Sequence, residues 1–251
     1  MKHHLPSSII TCPFPVGFAT LVGSTIYGAA TPESDYDISG VFVAPLRDVL
    51  GFSALKETHV EKTMFQDTSV DIVLHELKKF LSLLLKGNGN ALEVLYSPLV
   101  ITTSTLHDRI KILGKECITQ FCGHHYRGMA HNQLRQPGSE VKKLFHAYRC
   151  FLMGIELMKT GIFHFDVEYL ANTYQCPEML DILALKQQRQ SDLVFPSDHR
   201  YMNTLSRLDT QLDEAIRVSF LPPKPSDEIK QQIESLLFQT RMMKHLFDSF
   251  S

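Results

Sequence analysis

Gly23-Ser24 and the Ser34-Asp35-Tyr36-Asp37 run that follows it hold the residues of this chain best suited to chemistry. Asp35 and Asp37 are two apart, so on a strand both carboxylates leave the same face. Carboxylates that close repel each other unless a cation lies between them. Hard oxygen donors of this kind suit Mg²⁺ (or Mn²⁺), which keeps its other positions for water and substrate phosphate. Gly23 lets the main chain turn and leaves room for a ligand. Ser24 adds a hydroxyl donor beside backbone N–H groups that suit a phosphate. The chemistry implied is the handling of a triphosphate by divalent ions.

Positioning these groups takes a strand, a turn and a second strand. Residues 18–22 are a short apolar run, read as a buried strand. Ser24 is expected to cap a short helix over residues 25–30, which Thr31-Pro32 stops. The two acids then open a second apolar strand. Either half alone marks an ordinary turn or a solvated strand edge; their order and spacing together set them apart. Gly-x-x-x-x-Gly-Lys-Ser/Thr and Gly-x-Gly-x-x-Gly, the common phosphate-binding loops, are both absent.

Gly23-Ser24, Tyr27-Gly28 and Ser34-Asp35-x-Asp37 resemble the signature of the DNA polymerase β nucleotidyltransferase superfamily. More narrowly, the chain is similar to the branch of predicted nucleotidyltransferases of an RNA repair pathway. Further similar stretches are Val70-Asp71-Ile72, Lys79-Phe80 through Leu85-Lys86-Gly87-Asn88, Glu93-Val94-Leu95 and a helix over residues 142–161. Where the branch carries Asn-Pro, this chain has Asn88-Gly89.

The resemblance implies an α+β fold, a small mixed β-sheet of the polymerase β type with a C-terminal helical bundle. It implies transfer of a nucleoside monophosphate from an NTP to a hydroxyl by two Mg²⁺ ions. It also asks for a third acid on a neighbouring strand. Residues 58–65 and 70–74 read as a hairpin with a four-residue loop at 66–69, which offers Asp71. Asp67 competes for that role, although turn chemistry accounts for it. Asp35, Asp37 and Asp71 are thus the implied catalytic residues and metal ligands. Gly23 and Ser24 are implied to bind the nucleotide.

Lys142, His146 and Arg149 share one helix face and resemble the branch's helical motif, which would supply cations to the triphosphate. Taken singly, each reads better as an ordinary surface cation, as do His124, His125, Arg127, His131 and Arg135 upstream. The acceptor implied is an RNA 3′ end, tRNA-like. A protein or small-molecule hydroxyl remains open, as does a catalytically silent nucleotide- or RNA-binding module.

The chain's 251 residues suffice for a catalytic domain over 1–100 and a helical domain over 101–251. A net charge of −2 gives no global pull toward nucleic acid or anionic membrane, so an RNA substrate needs a local basic patch. Five cysteines without Cys-x-x-Cys read as reduced thiols of a cytoplasmic protein. Cys117, Cys122, His124 and His125 match no common zinc spacing. The longest aliphatic run, residues 80–85, is too short to span a bilayer. Helices are expected at 76–86, 90–96, 104–135 (one long or two short), 140–160, 177–188, 197–218 and 226–248.

Overall fold

A computed structural model describes residues 5–188 and 199–248. Five strands form one sheet: β1 (Val16–Val22), β2 (Tyr36–Phe42), β3 (Thr58–Phe65), β4 (Thr68–Glu76) and β5 (Val100–Thr102). Their order is β3-β4-β2-β1-β5; β2 and β4 run parallel and the other neighbours antiparallel. The helices are α1 (Leu46–Leu50), α2 (Leu77–Leu85), α3 (Gly89–Tyr96), α4 (Thr105–Lys115), α5 (Gln120–Arg135), α6 (Glu140–Thr160), α7 (Val167–Thr173), α8 (Pro177–Gln187), α9 (His199–Arg217) and α10 (Asp227–Asp248). The architecture is α+β, a small mixed sheet followed by a helical C-terminal region. Positions 197 and 198, expected to open the helix that begins here at His199, lie outside the described residues.

The described residues fall into two compact units, one of 5–23, 34–117 and 225–248, the other of 24–33, 118–188 and 199–224. The division is not a single cut, because α10 returns to the unit that carries the sheet.

In the first unit, β4 buries Val70, Ile72 and Leu74 while Asp71, Val73 and His75 stand half-buried on its other face. Gln66 and Asp67 both have positive φ (47° and 64°), as a two-residue hairpin turn requires. Phe65 therefore pairs with Thr68 and Met64 with Ser69, and the loop is two residues rather than the expected four. Phe18 of β1 packs edge-on against Phe80 of α2 and stacks on the buried His107 of α4 at 4.0 Å. The end of β4 is fixed by Glu76, which accepts from Lys78 N at the start of α2 and from Arg241 Nη2 of α10 at 2.9 Å. Arg241 also donates to the Ala44 carbonyl at 3.0 Å.

In the second unit, α6 is capped by the Ser139 hydroxyl and closed by Gly161 at φ 69°. From Ala147 to Met158 it is buried on every side, as a central bundle helix is. Residues 24–33 form no α-helix. A 3₁₀ turn over Gly23–Thr25 passes into open turns, with Gly28 at φ 70°. Six residues with two β-branched members and a glycine fall below the length at which a helix sustains itself. Among the described residues no helix is long and apolar enough to cross a membrane. All five cysteines are free.

Candidate active site

The acids are placed by strand register. Asp37 is the second residue of β2 and pairs in parallel register with Asp71 of β4, so their side chains share one face on neighbouring strands. Asp35 lies just before β2 and is exposed. Across the other edge of β2, Asp37 pairs with Val22, the last residue of β1. A Cβ on Gly23 would meet Asp37 Oδ2 at 2.0 Å, and Gly23 itself has φ 68°. Glycine here leaves the space the carboxylate fills and allows the turn.

The electrostatics follow from that crowding. Burial first, then the charges of Asp71 and Asp35, push the Asp37 carboxyl above the usual range, while Lys62 opposes them. Lys62 stands directly opposite Asp71 on β3, its Nζ 3.1 Å from each carboxylate oxygen. It donates a hydrogen bond to Oδ2; Oδ1 is buried without one. Among the described residues, no three His, Cys, Asp or Glu side chains form a ready-made cation cage. Two neighbouring carboxylates, one with an oxygen that accepts no hydrogen bond, and an exposed third nevertheless fit a hard dication that draws further ligands from water and phosphate.

The second unit assembles charges of the opposite sign. Lys142 is exposed, His146 half-buried and Arg149 buried along α6. Lys186, near the end of α8, joins them. Its Nζ lies 5.3 Å from the Phe145 ring and donates to the Ala29 carbonyl. The Arg149 guanidinium lies 4.2 Å over the Tyr27 ring. Burial, followed by the charges of Arg149, Lys186 and Lys142, pushes His146 down to about 4. Burial and Lys142 also lower the Lys186 ammonium. Among the described residues no carboxylate lies within ion-pair distance of Lys142 or Lys186.

The upstream basic set behaves differently. Arg127 donates to Asp209 at 2.6 Å and to Asp213 at 2.7 Å on α9, and His131 lies 3.1 Å from Asp209. Arg127 holds the Asp209 carboxyl below its usual range. These side chains clamp α5 to α9, so their charge is already answered within the protein.

Two residues lay outside the sequence reading. Lys62 was legible in principle: a two-residue turn at Gln66-Asp67 fixes a register that sets it opposite Asp71. Lys186 had no local signal, because it joins Lys142 through tertiary packing of α6 and α8.

A model of the family described as RlaP, RNA repair pathway DNA polymerase beta family, matches residues 2–239. An uncharacterised protein of Methanocaldococcus jannaschii is 28% identical over 230 residues, which cover 85% of this chain and 89% of that protein. An uncharacterised 38.9 kDa protein of enterobacteria phage T4, from the nrdC–mobD intergenic region, is 39% identical over 82 residues, 30% of this chain and 24% of its own. Among solved structures, a nucleotidyltransferase-like protein from Exiguobacterium sibiricum aligns over 82% of this chain and 69% of its own, at 14% identity and a TM-score of 0.28.

Proposed function

The chain belongs to the RNA repair pathway DNA polymerase β family, and from that premise we propose that it is a Mg²⁺-dependent nucleotidyltransferase. It moves a nucleoside monophosphate from an NTP to a hydroxyl, with an RNA 3′ end as acceptor. The observation that carries this reading is the in-register pair Asp37 and Asp71, with Gly23 opening the space beside Asp37.

Asp35, Asp37 and Asp71 would hold the divalent ions. When bound, such ions lower the pKa of an attacking hydroxyl and neutralise charge on the departing pyrophosphate. Ser24 donates its hydroxyl to phosphate oxygens, next to a Gly23 backbone that a ligand can approach. Lys142, His146 and Arg149 bind the nucleotide's anionic end; Arg149, held over Tyr27, keeps a fixed orientation. No protein nucleophile is required, because positioning and charge stabilisation supply most of the catalysis in phosphoryl transfer.

The test is incubation with each labelled NTP and Mg²⁺ or Mn²⁺, offering tRNA in one set and total protein in another. Label is expected in RNA, at its 3′ end. Label in protein alone would redirect the acceptor assignment, and binding without any transfer would remove the enzymatic reading.

A further inference from the structure

The second unit contains a cleft of about 470 Å³ that no role above uses. Ile26, Tyr27, Leu180 and Leu183 supply its apolar surface, and Gln187, Asp166 and Glu168 its polar groups. A volume in the range of small-molecule sites and walls that mix apolar surface with a few convergent polar groups are the makings of a ligand pocket.

Two contacts connect this cleft to the cation cluster. Tyr27 lines the cleft and also carries the Arg149 guanidinium on its ring. Lys186 and Gln187, consecutive on α8, grip consecutive carbonyls of the turn after Ser24: Lys186 that of Ala29, Gln187 that of Gly28. One residue of each pair faces phosphate chemistry and the other the cleft. A ligand with an anionic tail and a flat, largely apolar head could occupy both.

We propose that this cleft receives the nucleobase of the incoming nucleotide and favours bases with an exocyclic amino group, while Lys142, Arg149 and Lys186 take its phosphates. The proposal rests on the nucleotidyltransferase reading and extends it to base choice. The selectivity comes from the polar groups. Carboxylates accept hydrogen bonds and donate none. Asp166 Oδ1 already accepts from Glu168 N and Tyr169 N at the start of α7, and Glu168 is exposed. The amino groups of adenine, cytosine and guanine can donate to these acceptors. Uracil instead offers two carbonyl oxygens and a single ring N–H. Gln187, with both donor and acceptor, pairs with either edge of an amino-bearing base.

Equilibrium binding to the full chain, without divalent ions or acceptor, tests this with ATP, CTP, GTP, UTP and tripolyphosphate as probes. UTP is expected to bind at least about fivefold more weakly than ATP or CTP, the discrimination of one good base contact. Ala184→Trp, which fills the cleft from an exposed helix position, should abolish the advantage of any NTP over tripolyphosphate. It should leave tripolyphosphate binding intact, which also reports that the variant is folded. Glu168→Gln should narrow the gap between ATP and UTP. Lys186→Gln should weaken NTP and tripolyphosphate alike. Equal affinity for all four nucleotides, or unchanged NTP binding in Ala184→Trp, overturns the proposal. Because no transfer is measured, an inactive enzyme with a selective cleft would sink the catalytic reading alone, and an active enzyme with an unselective cleft this inference alone.

Discussion

The acid pair of the first unit and the cation cluster of the second are built by different means and share one defect. Asp37 and Asp71 are set by strand register, each on a strand paired on both sides. Lys142, His146, Arg149 and Lys186 come from two helices and are held by burial and aromatic faces. Both groups gather like charge, and both distort titration: Asp37 is pushed up and His146 down. Elsewhere charge is neutralised locally, as at Arg127–Asp209 and at the buried Arg241–Glu76 pair, whose side chains are 8% and 3% exposed. Like charge gathered in one place destabilises a fold, which makes these two places candidate sites for ligands of opposite sign.

The sharpest way to break the comparison is to remove a charge of each kind. Asp37→Asn is expected to lower transfer by at least about a thousandfold, the scale of losing a main electrostatic element of a phosphoryl-transfer site. Because it relieves repulsion from Asp35 and Asp71, its melting temperature should equal or exceed that of the parent. Arg241→Ala should do the reverse. It strands the Glu76 carboxylate and the Ala44 carbonyl in the core, at a cost of about 3–5 kcal/mol in urea unfolding. A destabilised Asp37→Asn or an unperturbed Arg241→Ala would erase the distinction between functional and structural charge.

How much of this was legible depends on the range of the contacts. Ser139 and Gly161 bound α6 at the expected 140–160, since a cap and a left-handed terminus are written within a few residues. Asp71 was likewise legible on a strand over residues 70–74, which β4 extends to Thr68–Glu76. The segment after Ser24 was read as helix because Ser24 resembles a cap, yet Gly28 at positive φ and the grip of Lys186 and Gln187 hold it as an open turn. Short helices and strands such as α1, α7 and β5 carry too few residues for a period to show. Lys186, and the closure of the first unit by Arg241, depend on packing between helices far apart in sequence, which no local pattern encodes.

Acid should move the two regions in opposite directions. An unfolded histidine titrates near 6.5, and His146 near about 4 in the folded chain. Between those values the unfolded state binds a proton that the native state refuses, so stability rises with pH there. The contribution of His146 is full above about 6.5 and is lost as pH falls toward 4. Asp37, whose carboxyl is raised, gains a proton in the native state first and so favours folding as pH drops. His146→Gln should flatten the acid loss in thermal melts recorded across this window. Tripolyphosphate should raise the His146 pKa, read from its ring proton resonance, by answering the three cations around it. A His146 resonance that ignores the polyanion would separate the cluster from phosphate binding.

The smallest effect sharpens the comparison from the acid side. Lys62 is the one described cation opposite Asp71, and at 75% side-chain exposure its pairing is weakened by solvent. It partly does for the acids what nothing among the described carboxylates does for Lys142 and Lys186. Removing it should free Asp71 to hold a dication, so Lys62→Gln is expected to tighten Mn²⁺ binding by about two- to fivefold, the span of an exposed ion pair. Titration followed by the paramagnetic relaxation of water protons measures this directly, and the gain should shrink at high salt as screening weakens the ammonium's competition. Unchanged or weaker Mn²⁺ binding would mean that Lys62 does not compete with the ion for Asp71.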